Sequence, residues 1–120
     1  MAAANDDMVA IATIEHPQAI DNIDEIARVP GLDLAFVGPG DLTTAMGIPG
    51  QVEHPTYVEA VARVESGLRG SGVALGGVAR TPDQATAMVG RGYSALVLGF
   101  DWSILRDAAG GILRDMKARR

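Results

Sequence analysis

The sequence predicts an α/β fold with a parallel sheet built from four βα units. Four short apolar runs, each bounded by glycine, proline or aspartate, alternate with segments that have helical signals. None of the runs alternates polar and apolar residues, which is typical of strands that are covered on both faces. Strands that alternate with helices favour right-handed crossovers, and therefore a parallel sheet.

The four predicted strands are β-branched or leucine-rich. They are Met8–Ile14, Leu34–Val37, Val73–Val78 and Ala95–Gly99. Three of the predicted helices begin at a proline, which suits the first helical turn because its missing N–H has no partner there. The helices are expected to start at Pro17, Pro55, Pro82 and Asp101, with Thr81 and Asp101 as N-caps. A long connection, residues 38–50, is expected to add one further helical turn.

Apolar residues at helical spacing predict which helix faces are buried. The second major helix is expected to turn Val58, Val61, Ala62, Val64 and Leu68 inward. The last helix is expected to bury Ile104, Leu105, Ala108, Ile112 and Leu113.

The chain length allows one small domain. Four βα units in 120 residues amount to half of an eight-unit barrel, which typically takes ~250 residues. A free-standing doubly wound sheet of this size fits equally well, and periodicity does not distinguish the two.

Composition excludes several classes of function. The formal net charge of −5 argues against nucleic-acid binding, which needs a basic face. The absence of cysteine excludes disulfide, zinc-finger and thiolate chemistry. No apolar run approaches the ~20 residues of a membrane span, and the first residues do not resemble a signal peptide. We therefore expect a cytoplasmic protein that does not bind membranes.

Two carboxylates follow consecutive predicted strands. Glu15 comes directly after the first strand and Asp41 shortly after the second. If those strands pair, their ends lie ~5 Å apart, and two carboxylates that close favour a cation between them. Oxygen ligands suit Mg²⁺ or Mn²⁺. In the alternative interpretation, Glu15 is a first-turn helix acid and Asp41 is an N-cap.

The turn Gly38–Leu42 (GPGDL) is a second candidate element. Its glycines allow close backbone approach, and free N–H groups at a helix start favour an anion. Asp41 would repel a bare phosphate, and Thr43 stands where a dinucleotide motif has its last glycine. A 2-oxo acid, which brings a carboxylate to the amides and a keto oxygen to a metal, fits this turn.

Other polar residues near strand ends have mainly structural explanations. His16 follows Glu15, where a metal ligand or a base is one interpretation, but it is expected to belong to the loop before Pro17. His54 precedes Pro55 and is interpreted as a helix-entry residue. Arg80 fits a second substrate carboxylate, but a surface salt bridge is the expected role. Trp102 is interpreted as a packing residue.

Several strings resemble the HpcH/HpaI aldolase family, the metal-dependent class II pyruvate aldolases. The resemblance extends from Val9 to Leu113. The matching strings are Ile14-Glu15, Asp24-Glu25-Ile26-Ala27, Val29-Pro30-Gly31, Phe36-Val37-Gly38-Pro39-Gly40-Asp41-Leu42, Met46-Gly47, His54-Pro55 and Val97-Leu98-Gly99 with Asp101. Family members commonly have alanine where Gly40 stands.

The resemblance implies one partial domain over residues 1–120, the C-terminal half of a (β/α)₈ TIM barrel. It implies that Glu15 and Asp41 bind a divalent cation, Mg²⁺ or Mn²⁺ with Co²⁺ as a third candidate. The substrate-binding residues would be Gly38, Gly40 and Asp41, with the last two amides holding the pyruvate carboxylate. The implied reaction cleaves a 4-hydroxy-2-oxo acid to pyruvate and an aldehyde through a metal-stabilised enolate.

The resemblance also implies what this chain lacks. The family's proton-transfer histidine and substrate-binding arginine lie in the other half of the barrel, so no catalytic acid or base is assigned here. The competing hypothesis is an inert, truncated half-barrel that acts only by oligomerisation. Two unpaired sheet edges and an open interior favour a homo-oligomer. A phosphate- or nucleotide-binding domain is disfavoured by Asp41 and Thr43.

Overall fold

The computed structural model describes residues 8–119 of the chain and contains one parallel sheet. The strands are β1 (Ile11–Ile14), β2 (Leu34–Val37), β3 (Ala74–Val78) and β4 (Tyr93–Val97), in that spatial order. The helices are α1 (Pro17–Asp21), α2 (Ile23–Ile26), α3 (Pro39–Ala45), α4 (Pro55–Leu68), α5 (Pro82–Gly90) and α6 (Asp101–Ala118). The predicted α/β class with four parallel strands is therefore confirmed.

Four strand boundaries differ from the prediction: the starts of β1, β3 and β4, and the end of β4, which is Val97 rather than Gly99. β1 starts at Ile11 rather than Met8, because Ile11 is the first residue that pairs with β2. β4 starts at Tyr93 rather than Ala95, because Tyr93 pairs with Leu75 across an irregularity in the register. Ala95 then pairs with Gly76, so the bulge admits one additional residue into β4.

The two faces of the sheet have different surroundings. On one face, Ile14, Ala35 and Leu75 are buried in the core that the helices complete. On the other face, a Cβ placed on Gly76 would meet the Phe36 side chain at 2.8 Å. Ile11, which pairs with Leu34, is 56% exposed, so this second face is only partly covered.

Helices α2 and α4 approach each other closely at Gly67. A Cβ on Gly67 would lie only 2.6 Å from Cγ2 of Ile23, a fully buried side chain of α2. Beside this contact, Arg63 donates two hydrogen bonds to Asp24, at 3.0 and 2.7 Å. Helix packing at this point therefore depends on the absence of a side chain at residue 67.

One predicted buried helix face is confirmed in part, and another is wrong. Of the inward residues predicted for α4, Val61, Val64 and Leu68 are buried, whereas Val58 and Ala62 are exposed. In α6, no residue is buried. The predicted inward residues Ile104, Leu105, Ala108, Ile112 and Leu113 are all exposed.

The apolar face of α6 is exposed because burial depends on packing against other elements. The spacing of apolar residues in α6 is helical and the helix forms, but no other element within residues 8–119 packs extensively against it.

α6 is also long, yet none of the helices described here combines the length and apolar character that crossing a membrane requires.

Candidate metal centre

The strand ends place Glu15 beside the start of α3. Ile14 pairs with Val37, and the N–H of Gly38 donates to the Ile14 carbonyl at 3.0 Å. One residue further, Glu15 lies over Gly38, and its Oε2 is 3.6 Å from the position of a Cβ on that glycine. The absence of a side chain at Gly38 therefore leaves the space that the Glu15 carboxylate borders.

Asp41 is in the first turn of α3. Gly38 is the N-cap of this helix, and its carbonyl accepts the first helical hydrogen bond, from Leu42 N at 3.0 Å. The N–H groups of Gly40 and Asp41 therefore precede the helical hydrogen-bond ladder. The alternative interpretation of Asp41 as the N-cap is wrong, because the N-cap is Gly38, three residues earlier in the chain.

Thr43 fixes the loop that follows α3, a role that the sequence analysis did not assign. Its side chain is fully buried, and its hydroxyl lies 2.7 Å from the carbonyl of Pro39, to which it donates. The same oxygen accepts from Gly50 N at 2.9 Å. The hydroxyl thus joins residue 50 to the helix start, and it holds the turn that contains Asp41. A threonine within a glycine-rich turn is the only sequence signal of this role.

Glu15 and Asp41 offer suitable oxygen donors for a divalent cation. Both side chains are exposed, and within the described part of the chain neither forms a hydrogen bond or an ion pair. Residues 8–119 contain no cluster of three or more histidine, cysteine or acidic side chains that would hold a metal. A Mg²⁺-type site needs only one or two carboxylates, with water or substrate completing the coordination.

The histidines and Asp101 have local structural roles. His16 and His54 are the N-caps of α1 and α4, and each Nδ1 accepts a backbone N–H at 3.3 Å. The interpretation of His54 as a helix-entry residue is confirmed. Asp101 is the first residue of α6 rather than its N-cap, which is Phe100. The Asp101 carboxylate accepts from Trp102 N at 2.7 Å.

The roles expected for Arg80 and Trp102 are not found. Arg80 forms no salt bridge with any residue of the range 8–119. Trp102 is 59% exposed and stacks with Phe100 at 6.4 Å between ring centroids, instead of packing in the core. The exposure of Trp102 has the same cause as that of α6, which finds no packing surface among the described elements.

Sequence and structure comparisons identify proteins that resemble this chain. A sequence model of the HpcH/HpaI aldolase/citrate lyase family matches residues 1–108. A 2-keto-3-deoxy-L-rhamnonate aldolase of Escherichia coli K12 is 33% identical over 108 residues. That alignment covers 90% of this chain and 40% of the relative, so the chain spans about 40% of the relative's length.

Solved structures show the same partial coverage. An HpcH/HpaI aldolase from Desulfitobacterium hafniense superposes with a TM-score of 0.86 at 32% identity, over 94% of this chain and 44% of that one. An HpcH/HpaI aldolase/citrate lyase family protein from Burkholderia cenocepacia J2315 superposes with a TM-score of 0.88 at 32% identity, over 97% and 45%. The structural neighbours are TIM-barrel-like, and this chain corresponds to somewhat less than half of each.

Proposed function

This chain belongs to the HpcH/HpaI aldolase/citrate lyase family, and we propose that it supplies the metal-binding part of a carbon–carbon lyase. The proposed reaction is the cleavage of a 4-hydroxy-2-oxo acid to pyruvate and an aldehyde. Relatives named as aldolases support a lyase. The observation on which the proposal depends is the position of the Glu15 carboxylate over Gly38, at the start of the helix that contains Asp41.

Glu15 and Asp41 are the proposed ligands of the cation, with Mg²⁺, Mn²⁺ or Co²⁺ as candidates. Both are hard oxygen donors, and both are without competing cationic partners among the described residues. When bound, the cation supplies Lewis acidity for the negative charge that develops on a keto oxygen. The role of the two carboxylates is to hold the cation beyond the ends of β1 and β2.

The amides of Gly40 and Asp41 are the proposed binding groups for the substrate carboxylate. Both precede the first intrahelical hydrogen bond, so their N–H groups are available at the positive end of α3. Gly38 contributes space rather than a binding amide, because its missing side chain leaves room for the Glu15 side chain. Binding the substrate carboxylate here would orient its keto group toward the two acidic side chains.

The described residues provide no assigned group for proton transfer. The two histidines are occupied as helix caps through Nδ1, and neither lies in a cluster of candidate metal ligands. A positioned acid or base typically contributes about 10²–10⁴ in rate. We therefore propose that this chain alone turns over slowly, and that faster turnover needs residues from the remaining part of a barrel.

The decisive experiment measures pyruvate. A 4-hydroxy-2-oxo acid is supplied with Mn²⁺ or Mg²⁺ at high protein concentration, and pyruvate is followed by coupling to lactate dehydrogenase. Activity that EDTA removes and that Glu15→Gln and Asp41→Asn both eliminate would support the proposal. Activity of equal size in the double variant would contradict it, because the chemistry would then not use this pair.

The second candidate function is a half-barrel that associates without catalysis. The observation that favours it is the exposure of α6, where Ile104, Leu105 and Ile112 are 60%, 72% and 63% exposed. β1 and β4 also have one neighbouring strand each in the sheet. Absence of EDTA-sensitive pyruvate formation, together with stable association, would favour this candidate.

A further inference from the structure

A cavity of about 260 Å³ lies between α4, α5 and the helix-covered face of the sheet. Its buried lining residues are Val37 from β2, Val61 from α4, Met88 from α5 and Tyr93 from β4. We refer to it as the α4–α5 cavity. Val37 and Tyr93 both point into the helical layer, so this cavity is on the opposite side of the sheet from Phe36.

The charged residues of the cavity lining are both cationic. Arg80, Gln84 and Arg91 contribute to its lining and are exposed, whereas its buried lining is apolar or aromatic. The Arg80 backbone N–H donates to the Gln84 side chain at 2.9 Å, which holds the start of α5 against this arginine. The cavity therefore has an apolar interior and a basic, polar margin.

Only one of the two arginines has its charge balanced. Arg91 forms an ion pair with Glu65 at 3.1 Å, and the same carboxylate oxygen accepts from the Tyr93 hydroxyl at 2.9 Å. Arg80 has no acidic partner within residues 8–119. The local charge of the cavity margin is therefore close to one unit positive, supplied by Arg80.

A phenol lies near this cation. Tyr57 of α4 lines the same cavity and is half-buried. Burial raises the pKa of Tyr57, while the charges of Arg80 and Arg91 act in the opposite direction. At neutral pH the phenol is neutral, and its O–H is available as a donor.

From the unbalanced Arg80, the neighbouring Tyr57 and the apolar interior, we infer that the α4–α5 cavity binds a small apolar monocarboxylate. The guanidinium of Arg80 would hold the carboxylate, with Tyr57 as a second donor, and the apolar part would lie against Val61 and Met88. The volume is below the ~300–1,000 Å³ of sites for drug-sized ligands, so the ligand is a small one.

Binding in this cavity is independent of the proposed lyase activity. Glu15, Gly40 and Asp41 do not line the cavity. Pro39 does, and it is the first residue of α3. A ligand in the cavity would therefore contact the helix that contains Asp41 without occupying the candidate metal centre.

The test uses benzoate as the probe, with benzyl alcohol as its uncharged analogue. Benzoate is titrated into the ¹⁵N-labelled 120-residue chain, and amide shifts are followed by NMR. We expect saturable shifts at Arg80, Gln84 and Met88, and at least about tenfold weaker binding of benzyl alcohol, because the charge-assisted bonds are lost. Shifts confined to Gly40 and Asp41 would assign the anion to the candidate metal centre at the start of α3 and overturn the inference.

Two variants separate charge from shape. Arg80→Gln should lower benzoate affinity about tenfold and leave benzyl alcohol unchanged, whereas Ala87→Phe, at an exposed lining residue, should weaken both ligands by filling the cavity. Arg114→Gln on α6 is the matched control, and it should bind benzoate like the unmodified chain. Arg80 is exposed and unpaired among the described residues, so its substitution should not impair folding. Equal benzoate affinity in Arg80→Gln and Arg114→Gln would overturn the inference.

Discussion

The Glu15 carboxylate lies against Gly38, with Oε2 only 3.6 Å from the position that a Cβ on the glycine would occupy. The same hypothetical Cβ would be 3.3 Å from Cγ2 of Thr13 and 3.4 Å from Cβ of Glu15. Gly38 has φ −92°, which any residue adopts, so any need for glycine here is steric. A methyl group would be tight only against Thr13, whereas a longer side chain at residue 38 would crowd the carboxylate that the proposed metal site requires.

Gly38→Leu is expected to weaken Mn²⁺ binding by about 10- to 100-fold, the range seen when groups that orient metal ligands are changed. The physical reason is crowding of the Glu15 side chain by a side chain that extends beyond Cβ. Calorimetric titration with Mn²⁺ measures the effect. Gly40→Leu is the matched control, because nothing lies within 4 Å of a Cβ at that residue, and its Mn²⁺ affinity should stay unchanged. Equal affinities in both variants would contradict the predicted role of Gly38.

Glu15→Gln and Asp41→Asn are each expected to abolish measurable Mn²⁺ binding, because each replaces a charged oxygen donor in a two-ligand site. Both side chains are exposed, so the fold should tolerate the changes. Circular dichroism checks the fold, and calorimetry checks the metal. Retention of wild-type affinity in either variant would remove that residue from the proposed ligand set.

Gly67→Ala is expected to destabilise the chain by about 1–2 kcal/mol, since overpacking typically costs ~1–3 kcal/mol and exceeds the gain of up to ~1 kcal/mol in helix propensity. The added methyl group would lie 2.6 Å from Cγ2 of the buried Ile23. Gly110→Ala in α6 is the control, because its Cβ would meet only the flexible Arg114 side chain, at 3.4 Å. Urea denaturation should show loss of stability for the first variant and none for the second.

The Asp24–Arg63 ion pair is expected to make a small, pH-dependent contribution to stability. Hydrogen bonds from Arg63 lower the pKa of Asp24 below its ordinary value of 3.8. A carboxyl whose pKa is lower in the folded state stabilises the fold above its unfolded pKa, and loses that contribution as the pH falls through the folded pKa. The Tm difference between the unmodified chain and Asp24→Asn should be constant at neutral pH and vanish in strong acid.

Salt provides the control for this ion pair. The side chains of Arg63 and Asp24 are 40% and 52% exposed, so added salt should screen their attraction. The Tm difference at neutral pH should therefore shrink as NaCl is added. A difference that grows toward low pH, or that salt leaves unchanged, would show that the electrostatic explanation is wrong.

The chain is expected to associate through the apolar side chains of α6. Leu105 and Ile112 are 72% and 63% exposed, although they lie on a helix that is fully formed. Leu105→Glu combined with Ile112→Glu should lower the mass measured by light scattering after size exclusion, because charges at these residues disfavour burial. The polar substitution Arg106→Glu, also in α6, is the control. A monodisperse monomer of the unmodified chain would contradict the prediction.

The sequence alone predicted the order of elements and most helix starts. Apolar runs of four to seven residues and prolines at helix starts are local signals, so Leu34–Val37 and the starts at Pro17, Pro55 and Pro82 agree with the structure. The strings around Glu15 and Gly38 also led to the family, which residues 1–108 match. Local chemistry was sufficient for these predictions, because each depends on neighbours within a few residues along the chain.

Tertiary structure decided which side chains are buried and which groups meet. The helical spacing of apolar residues in α6 predicts an apolar face, but it does not predict which element packs on that face. Leu105 remains exposed because its burial would need a packing surface from another element. The space that Gly38 leaves for Glu15 follows from the pairing of β1 with β2, over more than twenty residues of intervening chain. The α4–α5 cavity joins Val37, Val61 and Met88 from three separate elements. Such contacts depend on how elements pack, and no pattern along the chain specifies them.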